Sequence, residues 1–137
     1  MKFPFDELQL AIFSRLDGDT DITQPVFDWP VDPETQATPY IVIGEYFTED
    51  ESTSTIGGQR ITSEIHIYSQ SQGMRECNDI ANEVVQSLTA TPIDLSADNF
   101  EYLQISAAAD VRREYDGSDP YRHATVRMTD IIYEKET

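Results

Sequence analysis

Cysteine occurs once in this 137-residue chain, as Cys77. No internal disulfide can form, which suits a reducing compartment. Basic residues are scarce too, 9 Lys and Arg against 26 Asp and Glu, for a formal net charge of −17. Non-specific affinity for nucleic acid comes from Lys and Arg displacing counterions, so this composition opposes phosphate binding. It equally opposes adsorption to anionic membrane surfaces. Long apolar runs are missing, with nothing near the roughly 18 residues of a membrane span. The opening MKFPFDELQL has acids in place of an apolar leader core, and the chain is expected to be soluble and made in the cytoplasm. Glycine patterns that cradle phosphates are absent, because Gly57-Gly58 runs into a strand rather than a helix. There is no Gly-x-Ser-x-Gly elbow. The two histidines, His66 and His123, stand alone on different strands without His-x-x-x-His or Cys-x-x-Cys spacing, which gives no zinc signature.

The apolar fraction, 39%, is enough for one core, and the length fits a single domain spanning residues 1–137. FDELQLAIFSRLDGD places Phe5, Leu8, Ile12 and Leu16 at helical spacing, with Asp6 and Glu7 near the N-terminal dipole and Gly18 as a stop. Four prolines punctuate the stretch from Asp19 to Pro39, leaving one short extended piece around Val26–Trp29. PYIVIGEYF reads as a largely buried strand bounded by Pro39 and Gly44. TEDESTSTIGGQ then reads as the loop at the tip of a long hairpin. The chain returns through RITSEIHIYS, with Ile61, Ile65 and Ile67 on one face and Thr62, Glu64, His66 and Tyr68 on the other.

After SQSQG the hydrophobic period changes from two to nearly four. Met74, Cys77, Ile80, Ala81, Val84, Val85 and Leu88 form the stripe of a helix that Pro92 ends, with Glu76 as a weak capping signal after Gly73. Two strands follow. In the first, Leu103, Ile105, Ala107, Ala109 and Val111 alternate on one face. Asp116-Gly117 marks the hairpin turn, and Ala124, Val126, Met128 and Ile132 share a face in the second. Helix, strand, strand, helix, strand, strand predicts an α+β domain: a mainly antiparallel sheet with two helices packed on one face.

No convergent chemistry emerges along this chain. Cys77 lies on the apolar stripe of its helix, where a free cysteine acts as a small hydrophobe. His66 and His123 are expected at the surface or in an interface. DGDTD, Asp17–Asp21, resembles the start of a calcium loop, but the sixth position is Ile22 and the twelfth Asp28, so the pattern fails. Glu49–Glu51 reads as a solvated loop. Arg112 and Arg113 are offset by the acids of EYDGSD. An enzyme is not expected, and neither a cofactor nor a metal is implied.

The element order and several local strings resemble the tail-completion family of long-tailed bacteriophages, the small tail-terminator or tail-to-head joining proteins. The resemblance runs from Leu8 to Tyr133. It is carried by LQLAIFSRL, PVFDWPV, TPYIVIGEY, the Ser/Thr-rich loop, SEIHIYSQSQG leading into a helix, and the late strand pair across YDGSD. It implies a ring, commonly a hexamer, at the neck of the virion. The ring would cap the major tail tube protein and receive the head completion or connector protein, while DNA passes through without specific binding. The family has no catalytic residues to carry over. Glu49, Asp50, Glu51, Ser52, Thr53, Ser54, Thr55 and Ile56 are the expected contact segment, either with the tube or between subunits. That loop is expected to be mobile alone and to order on the tube. The alternative from another class is an acidic DNA mimic that occupies a DNA-binding protein; it would carry acids spaced like phosphates along one outer face.

Overall fold

The Leu8, Ile12, Leu16 spacing produces the first helix, α1 (Phe5–Asp17), and all three side chains are fully buried. The computed structural model describes residues 2–29, 31, 37–70, 73–116 and 119–135, with the backbone alone for 114–116 and 119–120. After α1 come β1 (Val26–Phe27), β2 (Tyr40–Asp50), β3 (Gly58–Ser69), α2 (Arg75–Thr89), a short 3-10 turn (Ser96–Asp98), β4 (Phe100–Asp116) and β5 (Asp119–Glu134). The five strands form one sheet in the order β1-β2-β3-β5-β4. Only the β1–β2 contact is parallel; the other three are antiparallel. This is the expected α+β domain.

Both helices cover the same face of the sheet. Cys77, Ile80, Ala81, Val84 and Leu88 of α2 meet Ile61, Ile65 and Ile67 of β3 and Ala124, Val126, Met128 and Ile132 of β5 in one core. Leu8, Ile12 and Leu16 of α1 join it beside Ile41 and Ile43 of β2. Each such side chain taken fully out of water contributes roughly 1.5–3 kcal/mol before the entropy of ordering it is set against that gain. The period-two face of β3 and the period-3.6 stripe of α2 are both where the sequence puts them.

Three local expectations are corrected. β2 does not stop at Gly44 but continues to Asp50, with Phe47, Thr48, Glu49 and Asp50 exposed. Its register against β3 shifts between Ile43 and Tyr46, so an irregularity at Gly44-Glu45 takes the place of a strand end. In β4, Leu103 and Ile105 are not on the core face; they are 57% and 43% exposed. The register against β5 shifts between Gln104 and Ser106, leaving Ile105 unpaired. That bulge inverts the alternation, so Phe100 and Tyr102 face the helices before it, and Ala107 and Val111 after it. Finally, Glu76 caps nothing: its carboxylate accepts the hydroxyl of Ser69 at the end of β3 over 2.6 Å. The β4–β5 hairpin is present as expected, while its turn residue Gly117 lies outside the described residues.

Candidate functional site

The β2–β3 hairpin carries the expected contact segment. Glu49 and Asp50 are the last residues of β2, paired in register with Arg60 and Gln59, and residues 51–57 form the loop. Polar side chains held in place by the strand ends build this loop from within. Asp50 Oδ1 accepts the backbone N–H of Ser52 at 3.2 Å and its hydroxyl at 2.7 Å, which pulls the carboxyl below its usual range. The Ser52 hydroxyl in turn accepts the N–H of Gly58 at 3.0 Å. Thr53 Oγ1 accepts the N–H of Ile56 at 3.0 Å, and the Thr53 N–H reaches the Ile56 carbonyl at 2.8 Å. Arg60 Nε donates to Glu51 Oε1 at 2.8 Å. Gly57 fastens the loop to the neighbouring strand, because its carbonyl accepts the N–H of Glu134 at 2.9 Å. Ser52, Thr53, Ser54 and Thr55 remain exposed. The segment therefore presents hydroxyls and acids outward on a defined base.

The helix-free face of the sheet is the second surface. Register places His66 and His123 on it one step apart, since His66 pairs with Thr125 and Tyr68 with His123. The two histidines are not isolated, as their sequence positions suggested. His66 Nδ1 and His123 Nε2 lie 2.7 Å apart, one donating and the other accepting. Burial, with the neighbouring His123 next in size, lowers the pKa of His66. Tyr68 stacks on His123 with ring centroids 4.5 Å apart, and Tyr40 follows Tyr68 at 5.2 Å. The His66 ring lies against Gly44, where a Cβ would stand 2.6 Å from its Cδ2 atom. Beside this aromatic strip, Arg127 donates to Glu64 at 3.0 Å and to Asp110 at 3.1 Å. The Arg127 hydrogen bond holds the Asp110 carboxyl below its usual range. The open face thus combines an aromatic strip with an Arg127-centred ion-pair cluster, in which Asp110 Oδ1 has no partner among the described residues.

The remaining candidates resolve simply. Cys77 is fully buried, its Sγ 3.9 Å from the Ile67 carbonyl, and burial pushes its thiol up to about 11, far from a reactive thiolate. Asp17–Asp21 forms the end of α1 and a turn in which Asp19 Oδ1 accepts the Asp21 N–H at 2.9 Å. Among the described residues, no three His, Cys, Asp or Glu side chains gather where they could hold a metal ion. Sequence reasoning missed Asp130, a fully buried acid on the helix side of β5. The signal was present, because Asp130 has the same parity as Ala124, Val126, Met128 and Ile132. It also missed Arg15, whose guanidinium closes the end of α2, and the exposed aliphatics of β4; nothing local in LQISAAAD announces that bulge.

Over residues 10–133 the chain matches the family described as "Tail completion protein gp17". Two solved structures are similar throughout. The one described as "Structure of bacteriophage SPP1 gp17 protein" is 25% identical, with a TM-score of 0.59 over 93% of this chain and 91% of that one. A chain in the structure described as "Virion of native gene transfer agent (GTA) particle" is 23% identical and shares the fold, with a TM-score of 0.69 over 91% and 94% of the two chains. No curated protein matches the chain.

Proposed function

This chain belongs to the tail completion protein gp17 family, and on that premise we propose that its copies close into a ring, six in number, that caps the tail tube and joins it to the head. Tail completion is a structural role in the virion, at its neck or the top of its tail, and we assign the chain no reaction. The major tail tube protein would lie on one side of the ring and the head completion or connector protein on the other. The family match across nearly the whole chain carries this reading. The charge is consistent with it: six copies at −17 each would bring a formal charge of about −102. At physiological ionic strength such a field reaches only about 8 Å, useful inside a narrow lumen and weak outside it. Acids facing the lumen would let DNA slide without sticking.

Within this reading the loop at 51–57, with Glu49 and Asp50 at its base, is the contact with the tube. An acidic DNA mimic would need carboxylates free along one outer face. On the open sheet face Glu64 and Asp110 are instead occupied by Arg127.

Electron microscopy of a lysate from a phage with a nonsense mutation in this gene tests the role. Filled heads beside unattached tails are expected; normally joined particles would remove it. Deleting Ser52–Thr55, which spares the ladder residues Asp50 and Gly58, should leave the thermal melt intact and abolish capping. Unchanged capping would remove the loop from the tube contact.

A further inference from the structure

Among the described residues the sheet ends in two edges with no further strand beside them, one along β2 and the other along β4. β1 pairs only Ile41 and Val42 of β2, so among the described residues no strand lies beyond Ile43–Asp50. At the other end β4 has β5 on one side and no described strand on the other. Natural sheets blunt such edges with prolines, lysines or other charges. From Tyr102 to Ala109 β4 reads YLQISAAA, eight residues with no charge, proline or glycine. The only irregularity in that stretch is the bulge at Ile105, and it turns Leu103 and Ile105 outward instead of closing the edge.

The two free edges correspond in height. Ile43 pairs with Ile65, Ile65 with Val126, and Val126 with Ala109. Seven positions along β2, Asp50 pairs with Gln59, Gln59 with Ile132, and Ile132 with Tyr102. The free stretch of β2 and the uncharged stretch of β4 therefore span the same level of the sheet, and three antiparallel steps between them make the two strands antiparallel. A copy rotated about an axis along the strands brings its β2 edge against the β4 edge of its neighbour without sliding. Phe47, 56% exposed, stands level with Ser106, beside the exposed Ile105 and Leu103. All three large apolar side chains lie in the zone such a junction would cover. Glu45, Glu49 and Asp50 make the β2 edge acidic, so an uncharged β4 edge avoids the like-charge repulsion that a −17 chain would otherwise meet in its own copy.

We propose that the seam between neighbouring copies is an antiparallel strand pair, Ile43–Asp50 of one copy against Tyr102–Ala109 of the next, with Phe47 packed on Leu103 and Ile105. The inference rests on the ring reading above and names the surface that closes it. The contact is head-to-tail, so repeated rotation consumes every free edge.

Cysteine cross-linking on assembled tails tests the seam, since Cys77 is buried and does not compete. The variant carrying Phe47→Cys and Ile105→Cys, oxidised on capped tails, should give a ladder of covalent oligomers ending at a closed ring. Phe47→Cys alone and Ile105→Cys alone should remain monomeric. Capped tails without cross-links, with Leu103→Cys and Ala108→Cys in place of Ile105→Cys also negative, would overturn the seam while leaving the capping role intact. A dimer from Ile105→Cys alone would show β4 pairing with itself and would also overturn it. Leu103→Lys with Ile105→Lys provides an independent check, as both side chains are exposed in the single copy. Its melt should match the parent while capping is lost; retained capping would overturn the seam. Joined particles without this protein would instead sink the underlying role.

Discussion

Tyr102 on β4 donates its hydroxyl to Oδ1 of Asp130 on β5 over 2.6 Å, on the face of the sheet that the helices cover. Asp130 is fully buried, and its Oδ2 atom has no partner among the described residues. Burial pushes the carboxyl up to about 6, against the smaller opposing effect of the Tyr102 hydrogen bond. The folded state therefore holds a proton at a pH where the unfolded chain, with an ordinary aspartate near 3.9, has released it. Stability from this group is full below about pH 4 and is lost as pH rises through 6. The difference is at most about 3 kcal/mol. Asp19, Asp50, Asp94 and Asp110 have lowered values and impose the opposite slope, so the wild-type profile alone is a mixture. Asp130→Asn separates them. Its melting temperature should exceed the wild type's at pH 8, with the gap narrowing toward pH 4. Parallel profiles would show that Asp130 does not titrate in the fold.

Arg15 of α1 serves the C-terminus of α2, which has no basic residue in its own last turn. Its Nη1 atom donates to the carbonyls of Ser87 at 2.9 Å and Thr91 at 2.8 Å, and Nη2 reaches the Pro92 carbonyl at 3.4 Å. These carbonyls lack helical donors, and the helix dipole adds to their attraction for a cation. Arg15→Met keeps most of the aliphatic stem while removing the charge and the donors. The expected loss is about 1–2 kcal/mol in urea unfolding. Arg15→Lys should recover part of it, since one ammonium cannot reproduce the forked geometry. An unchanged urea midpoint for Arg15→Met would refute the capping role.

The contrast between what was readable and what was not follows from the range of the interactions. Ile61, Ile65 and Ile67, or Ile80, Val84 and Leu88, announce their faces because burial and backbone period are set by neighbours within a few residues. The loop at 51–57 was readable from its hydroxyls and glycines. Its base was not, because exposed strand residues such as Glu49 and Asp50 have the composition of a loop. Ile105 misled because a bulge is chosen by the partner strand, and one unpaired residue inverts every later side chain. Arg15 meets Ser87 across 72 residues of chain and His66 meets His123 across 57, distances over which no local pattern operates. Asp130 is different: its parity placed it in the core, and only the habit of sending acids outward concealed it.

Gly44 and His66 give the last prediction. A Cβ at position 44 would lie 2.6 Å from Cδ2 and 2.7 Å from Nε2 of His66, and 3.2 Å from the Glu64 carbonyl. An isolated imidazole could swing aside at little cost. Here the ring is held by its 2.7 Å hydrogen bond to His123, so moving it breaks that bond and exposes the ring. Gly44→Ala should therefore cost about 1–3 kcal/mol, the usual range for overpacking. In a His66→Ala background the same substitution should cost much less, because the atoms it strikes are gone. A double-mutant cycle measures the difference as a coupling energy, and additive losses would place the strain in the backbone instead. The His66 pKa, lowered by burial and by His123, supplies a second readout. Displaced toward water in Gly44→Ala, the ring should titrate closer to an ordinary histidine, with its NMR midpoint moving upward. A midpoint left in place would mean that the imidazole had not moved.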